Sequence, residues 1–115
     1  MKRTLLALSV VLAAALAGCD SGEPGVHEIT QKDKAFHPDE ISIHAGETLL
    51  LHNDDSRTHN IRVFHPKLDF NSGSQEPGED VRITFDEPGT YYVTCGIHTQ
   101  MELKVTVTPQ QEAQG

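Results

Sequence analysis

Val81-Arg82-Ile83-Thr84-Phe85-Asp86-Glu87-Pro88-Gly89-Thr90-Tyr91-Tyr92-Val93-Thr94-Cys95-Gly96-Ile97-His98-Thr99-Gln100-Met101-Glu102-Leu103-Lys104-Val105-Thr106-Val107-Thr108 decides the fold. Every second side chain is apolar in three runs: Val81, Ile83 and Phe85; Tyr91, Val93 and Cys95; Leu103, Val105 and Val107. A period of two places each set on one face of a strand. Asp86-Glu87-Pro88-Gly89 separates the first two runs with turn chemistry. Further upstream, Ile41 and Ile43, Leu49 and Leu51, and Ile61 and Val63 share faces in the same way. Strands are predicted at 26–32, 40–44, 48–53, 60–64, 81–85, 90–94 and 102–108. Short alternating runs punctuated by Gly, Pro and Asp predict an all-β sandwich or barrel. Residues 65–80 carry no clear period and are expected to form a long loop with a short strand or turn inside; residues 110–115 read as a disordered polar tail.

Cys95, His98 and Met101 lie close together in that stretch, with His59 upstream. Each is ordinary alone: a Met near a Cys is usually core filler, and a lone His is usually on the surface. Together, two imidazoles, one thiol and one thioether are the donor set of a blue-copper site, with Met as the weak axial ligand. Strand parity supports the grouping. Cys95 shares a face with Tyr91 and Val93, and His59 shares one with Ile61 and Val63, so both are expected to point inward from strand ends. His98 and Met101 then approach from the following turn. Soft sulfur and imidazole donors suit both Cu(I) and Cu(II). A frame that accepts both states without rearranging is suited to passing single electrons.

The N-terminus is read separately. Lys2 and Arg3 precede an apolar run from Leu5 to Ala17, too short for a comfortable membrane span and laid out like a secretory signal. It ends Leu16-Ala17-Gly18-Cys19, which resembles the bacterial lipoprotein signal. Residues 1–18 are therefore expected to be removed, Cys19 to carry lipid, and residues 19–26 to serve as a flexible tether. That implies an exported domain anchored on the periplasmic side of a bacterial membrane. Cys95 is then the one free thiol left, exposed to oxidation unless a metal holds it as thiolate. The formal net charge of −8 makes nucleic acid a poor partner. It favours a partner with a basic docking face, and Glu76, Glu79, Asp80, Asp86 and Glu87 are either an acidic docking face or plain solvated surface.

Phe36-His37-Pro38, Ile41 with Gly46-Glu47-Thr48, Asn53-Asp54-Asp55, His59-Asn60, Pro88-Gly89-Thr90-Tyr91-Tyr92, Cys95-Gly96-Ile97-His98 and Met101 together resemble a small cupredoxin of the plastocyanin type. The short spacing from His98 to Met101 is similar to that of amicyanin-like members. The resemblance implies a Greek-key β-sandwich or barrel of about seven to eight strands over residues 27–109. It implies one copper ion held by His59, Cys95 and His98, with Met101 as the long axial ligand. Asn60 would help hold the thiolate and tie the two ligand loops together. Gly96-Ile97 stands where the family usually has a Pro, leaving one more N–H that could donate to sulfur. His98, with Ile97 beside it, would be the exit for electrons. The implied protein is a monomeric electron carrier, not an enzyme, exchanging electrons with a donor and an acceptor redox protein that dock near His98.

Two other readings stand beside it. A copper-binding protein could buffer the ion or deliver it to an exported enzyme. An enzyme using Cys95 as nucleophile and His98 as base lacks any evident third group to orient the base. The remaining histidines, His27, His37, His44, His52 and His65, are expected to be surface residues or local hydrogen-bonders, with a second, weaker copper site as the lesser alternative; Asp54 and Asp55 read as turn residues.

Overall fold

The alternating runs become strands because each can bury its apolar face only against a second layer. The computed structural model describes residues 24–110. They form β1 (Val26–Lys32), β2 (Ala35–His37), β3 (Glu40–His44), β4 (Glu47–Asn53), β5 (His59–His65), β6 (Leu68–Gln75), β7 (Asp80–Phe85), β8 (Gly89–Cys95) and β9 (Glu102–Thr108). The signal, Cys19, most of the tether and residues 111–115 lie outside the described residues. The strands make a four-stranded sheet in the order β2-β1-β4-β7 and a five-stranded sheet in the order β3-β9-β8-β5-β6. β1 pairs with β4, and β3 with β9, in parallel; the other pairings are antiparallel.

The inward faces are those the alternation predicts. Leu49, Leu51, Ile83 and Phe85 line one sheet, and Ile61, Val63, Tyr91, Val93, Leu103 and Val105 the other, all buried. Burying one such side chain contributes about 1.5–3 kcal/mol. The Tyr91 hydroxyl donates to the Glu87 carbonyl at 2.7 Å, so the ring is buried without an orphaned O–H and pins the turn before β8.

Two strands exceed the expectation. Residues 65–80 hold the eight-residue strand β6, and β2 is a short hairpin partner of β1. β1 begins at Val26, the last residue assigned to the expected tether. β6 hides from a period-two reading because its register against β5 slips between Asn60 and Arg62. The slip sets one extra residue into β6, and its polar run Asn71-Ser72-Gly73-Ser74 breaks the alternation begun by Leu68 and Phe70.

A buried polar layer closes one end of the sandwich. Gln31, Asn53 and Gln75 are all but inaccessible to solvent. The Gln31 amide donates to Gln75 Oε1 at 2.8 Å. The Gln75 amide donates to the carbonyls of Leu51 and Glu79, and the Asn53 amide to those of Arg57 and Gln75. These bonds join β1 and β4 of one sheet to β6 of the other and fix the loop that delivers His59.

Candidate metal centre

His59 opens β5, Cys95 closes β8, and His98 and Met101 follow in the connection to β9. β5 and β8 are paired, with Ile61 opposite Cys95, so backbone register alone brings His59 near the thiol. Inward parity does the rest: His59 and Cys95 are buried, as is Met101. Cys95 Sγ lies 3.7 Å from His59 Nδ1 and 3.8 Å from His98 Nδ1. The three potential ligand atoms fall within 4.8 Å of one another, and this is the one group of at least three His, Cys, Asp or Glu so placed among the described residues. The two imidazoles meet edge to face with centroids 5.2 Å apart. Met101 is tied into the same loop by its N–H, which donates to the His98 carbonyl at 3.0 Å.

The sulfur accepts two backbone N–H groups, from Asn60 at 3.4 Å and from His98 at 3.5 Å. Within the Gly96-Ile97 segment, the Gly96 N–H is directed away from the sulfur. Gly96 N–H donates to the Asn60 carbonyl at 2.8 Å, tying the two ligand loops together and leaving the second sulfur bond to His98.

Asp55 is more than the turn residue expected from sequence. Its Oδ2 lies 2.9 Å from His59 Nε2, and its side chain is 8% exposed. The same carboxylate accepts the N–H groups of Asp33 and Lys34 at 2.8 and 3.0 Å. Those two residues form the β1–β2 turn with φ of 54° and 58°, a left-handed conformation costing about 1–2 kcal/mol each for non-glycine residues. Charge-assisted hydrogen bonds of about 1.5–3 kcal/mol each offset that cost. Burial pushes the Asp55 carboxyl up, but the Lys34 N–H, the His59 ring and the Asp33 N–H together hold it below its ordinary value. With Nε2 committed to a carboxylate, His59 presents Nδ1 to the sulfur and to any metal. A ligand histidine whose other nitrogen meets a carboxylate is the usual arrangement at metal sites. Two imidazoles, one thiol and a buried thioether on one loop system fit copper.

His98 is half-buried, and Ile97 beside it is 55% exposed. Burial lowers the His98 pKa first, and His59, Lys34 and Arg57 lower it further, against the Asp55 carboxylate, which raises it. The other histidines are engaged locally. His27 meets Glu47, His52 bridges Glu28 and Asp80, His37 meets the Lys32 carbonyl, and His65 stacks on Tyr91. His44 lies 3.6 Å from Glu47. Sequence reasoning missed Asp55 and the buried amides Gln31, Asn53 and Gln75. Parity carried a signal for two of these, since Gln31 shares the face of Ile29, and Asn53 that of Leu49 and Leu51.

Comparison with known proteins agrees with this geometry. A family model for the cupredoxin-like domain matches residues 4–107. Methylamine utilization protein MauL of Methylophilus methylotrophus is 30% identical over 108 residues, covering 82% of this chain and 62% of MauL. Chloroplast plastocyanin of Hordeum vulgare is 36% identical over 84 residues, covering 63% of this chain and 54% of that protein. The chain thus spans less than two thirds of the length of either relative. Among solved structures, a purple cupredoxin from Nitrosopumilus maritimus superimposes with a TM-score of 0.64 at 26% identity, covering 71% of this chain and 99% of that one. A reduced amicyanin variant superimposes with a TM-score of 0.68 at 22% identity, covering 75% and 85%, and shares the fold.

Proposed function

The chain belongs to the cupredoxin-like family, and from that premise we propose that it carries single electrons on one type 1 copper ion. His59, Cys95 and His98 would hold the ion, with Met101 as the weak axial ligand. The observation that carries this reading is the convergence of His59 Nδ1, His98 Nδ1 and Cys95 Sγ with the far nitrogen of His59 tied to Asp55. Copper supplies a one-electron couple between Cu(I) and Cu(II) when bound. The protein supplies a frame that changes little between the two. His59 is fixed from behind by Asp55, Cys95 from two backbone N–H groups, and His98 and Met101 by the short loop between them. Half-buried His98 beside exposed Ile97 is the natural place for a donor and an acceptor protein to approach.

The same proposal places the domain outside the cytoplasm, on the periplasmic side of a bacterial membrane. It is held there as a monomer by lipid on Cys19, on the strength of Leu16-Ala17-Gly18-Cys19. Copper delivery would be favoured by histidines free to take a second ion, and the spare histidines have carboxylate, carbonyl or aromatic neighbours instead.

The test is a copper titration of the purified chain followed by visible absorption and electron paramagnetic resonance. One equivalent should give an intense visible band with narrow copper hyperfine splitting, and Cys95→Ser should lose the band while keeping the fold. A pale complex, or an intense band that survives Cys95→Ser, would overturn the reading.

A further inference from the structure

Asn60 has two bonds that face away from the metal centre. Its side-chain amide donates to Asn71 Oδ1 at 2.9 Å and to the Gly73 carbonyl at 2.8 Å. Asn71 Oδ1 also accepts the Gly73 N–H at 2.9 Å, which holds the acceptor in place. Between them, Ser72 Oγ accepts the Ile61 N–H at 3.0 Å and donates to the Gly73 carbonyl at 2.7 Å. Three consecutive residues of β6 thus grip two consecutive residues of β5, at the point where the ladder between these strands slips by one residue. Gly73 has φ of 74°, a left-handed conformation open to glycine at little cost. Bulges re-aim neighbouring groups and often lie beside functional sites. Here the group re-aimed is Asn60, whose N–H points at Cys95 Sγ and whose carbonyl accepts from Gly96.

Gly96 completes the arrangement from the other side. A Cβ at Gly96 would overlap Asn60 Oδ1 and stand 3.4 Å from Asn60 Cγ and 3.5 Å from Arg62 Cγ. A free asparagine tip could swing away from an added methyl group. This one cannot without breaking its bonds to Asn71 and Gly73. Asn60 therefore fits only if its amide is anchored on β6 and residue 96 has no side chain.

We propose that the β6 bulge at Asn71-Ser72-Gly73 is a positioning element for the Cys95 sulfur. It acts through Asn60, with Asn71 as the positioning residue and Gly96 as the gap that admits Asn60. Its effect on copper rests on the electron-carrier reading above. Its effect on the backbone does not. Loosening Asn60 weakens an N–H to sulfur bond, leaves more electron density on the thiolate, and favours Cu(II) over Cu(I).

The experiment uses the full chain with Asn71→Ala, Asn71→Asp and Gly96→Ala. In the copper-free protein, amide hydrogen exchange at Asn60 and Gly96 is compared with that at core residues Val63 and Val93. Asn71→Ala and Gly96→Ala should speed exchange at Asn60 and Gly96 by about tenfold, the size of one lost hydrogen bond, with the core amides unchanged. Asn71→Asp keeps an acceptor oxygen and should restore protection. With one equivalent of copper, Asn71→Ala and Gly96→Ala should still bind the ion, at a lower reduction potential and with a shifted visible band. Unchanged exchange at Asn60 and Gly96 in both variants would overturn the proposal. So would loosened amides with an unmoved potential and band, because the bulge would then only hold the hairpin. A wild-type chain without a blue band would sink the electron-carrier reading while the exchange measurement still judged the hold of the β6 bulge on Asn60.

Discussion

Asp55 holds three donors on two oxygens: the His59 ring and the N–H groups of Asp33 and Lys34. One side chain therefore orients a proposed ligand and stabilises a turn whose residues both have positive φ. Removing it costs twice. Asp55→Ala frees the His59 ring to rotate and leaves the 33–34 turn without its acceptor. Loss of such a carboxylate partner typically weakens metal binding about 10- to 100-fold. The expected result is that Asp55→Ala binds copper at least about tenfold more weakly in a competition titration, with one equivalent still bound at saturation. Wild-type affinity in this variant would show that packing, not the carboxylate, sets the His59 ring. The ligands themselves are legible in the sequence because their chemistry is distinctive and their spacing short. Asp55 is not, because two of its three partners lie about twenty residues upstream across a sheet pairing no period reveals.

At the scale of elements, His52 straps three strands of the four-stranded sheet. From β4, its Nδ1 lies 2.7 Å from Asp80 of β7 and its Nε2 2.9 Å from Glu28 of β1. With a carboxylate at each nitrogen, the doubly protonated ring is favoured. The bond to Asp80, then that to Glu28, raises the His52 pKa above its ordinary 6.5 despite partial burial. The sign follows from linkage. A histidine whose folded pKa is raised stabilises fully below the unfolded value and loses that contribution as pH rises through the folded one. Stability of the copper-free chain should therefore fall from pH 6 toward pH 8, modestly, since the ring is 26% exposed. The urea midpoint of His52→Gln should decline less over that range. A mutant that follows the wild-type decline would assign the pH dependence to other groups. The same scale explains what periodicity can and cannot find. Strands such as β8 and β9 face the core with every second residue and read cleanly, whereas the β6 bulge sets two residues against one and destroys the pattern where Asn60 needs its anchor.

For the whole molecule, two exposed cations beside the metal centre stand out against the net charge. The chain carries −8, which suits a basic partner. Yet Lys34 and Arg57 are exposed, have no ion-pair partner among the described residues, and after burial and His59 add to the lowering of the His98 pKa, against the Asp55 carboxylate, which raises it. The Debye length at physiological salt is about 8 Å, so a reagent at His98 responds to the charges around it more than to the sum over the surface. Lys67 provides the control. It lies in the turn after β5, about 20 Å along that strand from His59, and its ammonium donates to the Pro88 carbonyl. Lys34→Gln, Arg57→Gln and Lys67→Gln each remove one positive charge. If electrons leave through His98, oxidation of the copper-loaded protein by the anion hexacyanoferrate(III) should slow about threefold in the first two variants and hardly at all in the third. Equal slowing in all three would mean that the overall charge steers partners and that the basic docking face inferred from composition is the right one. Unequal slowing would give the partner an acidic rim around its own redox centre, facing two cations that composition alone conceals.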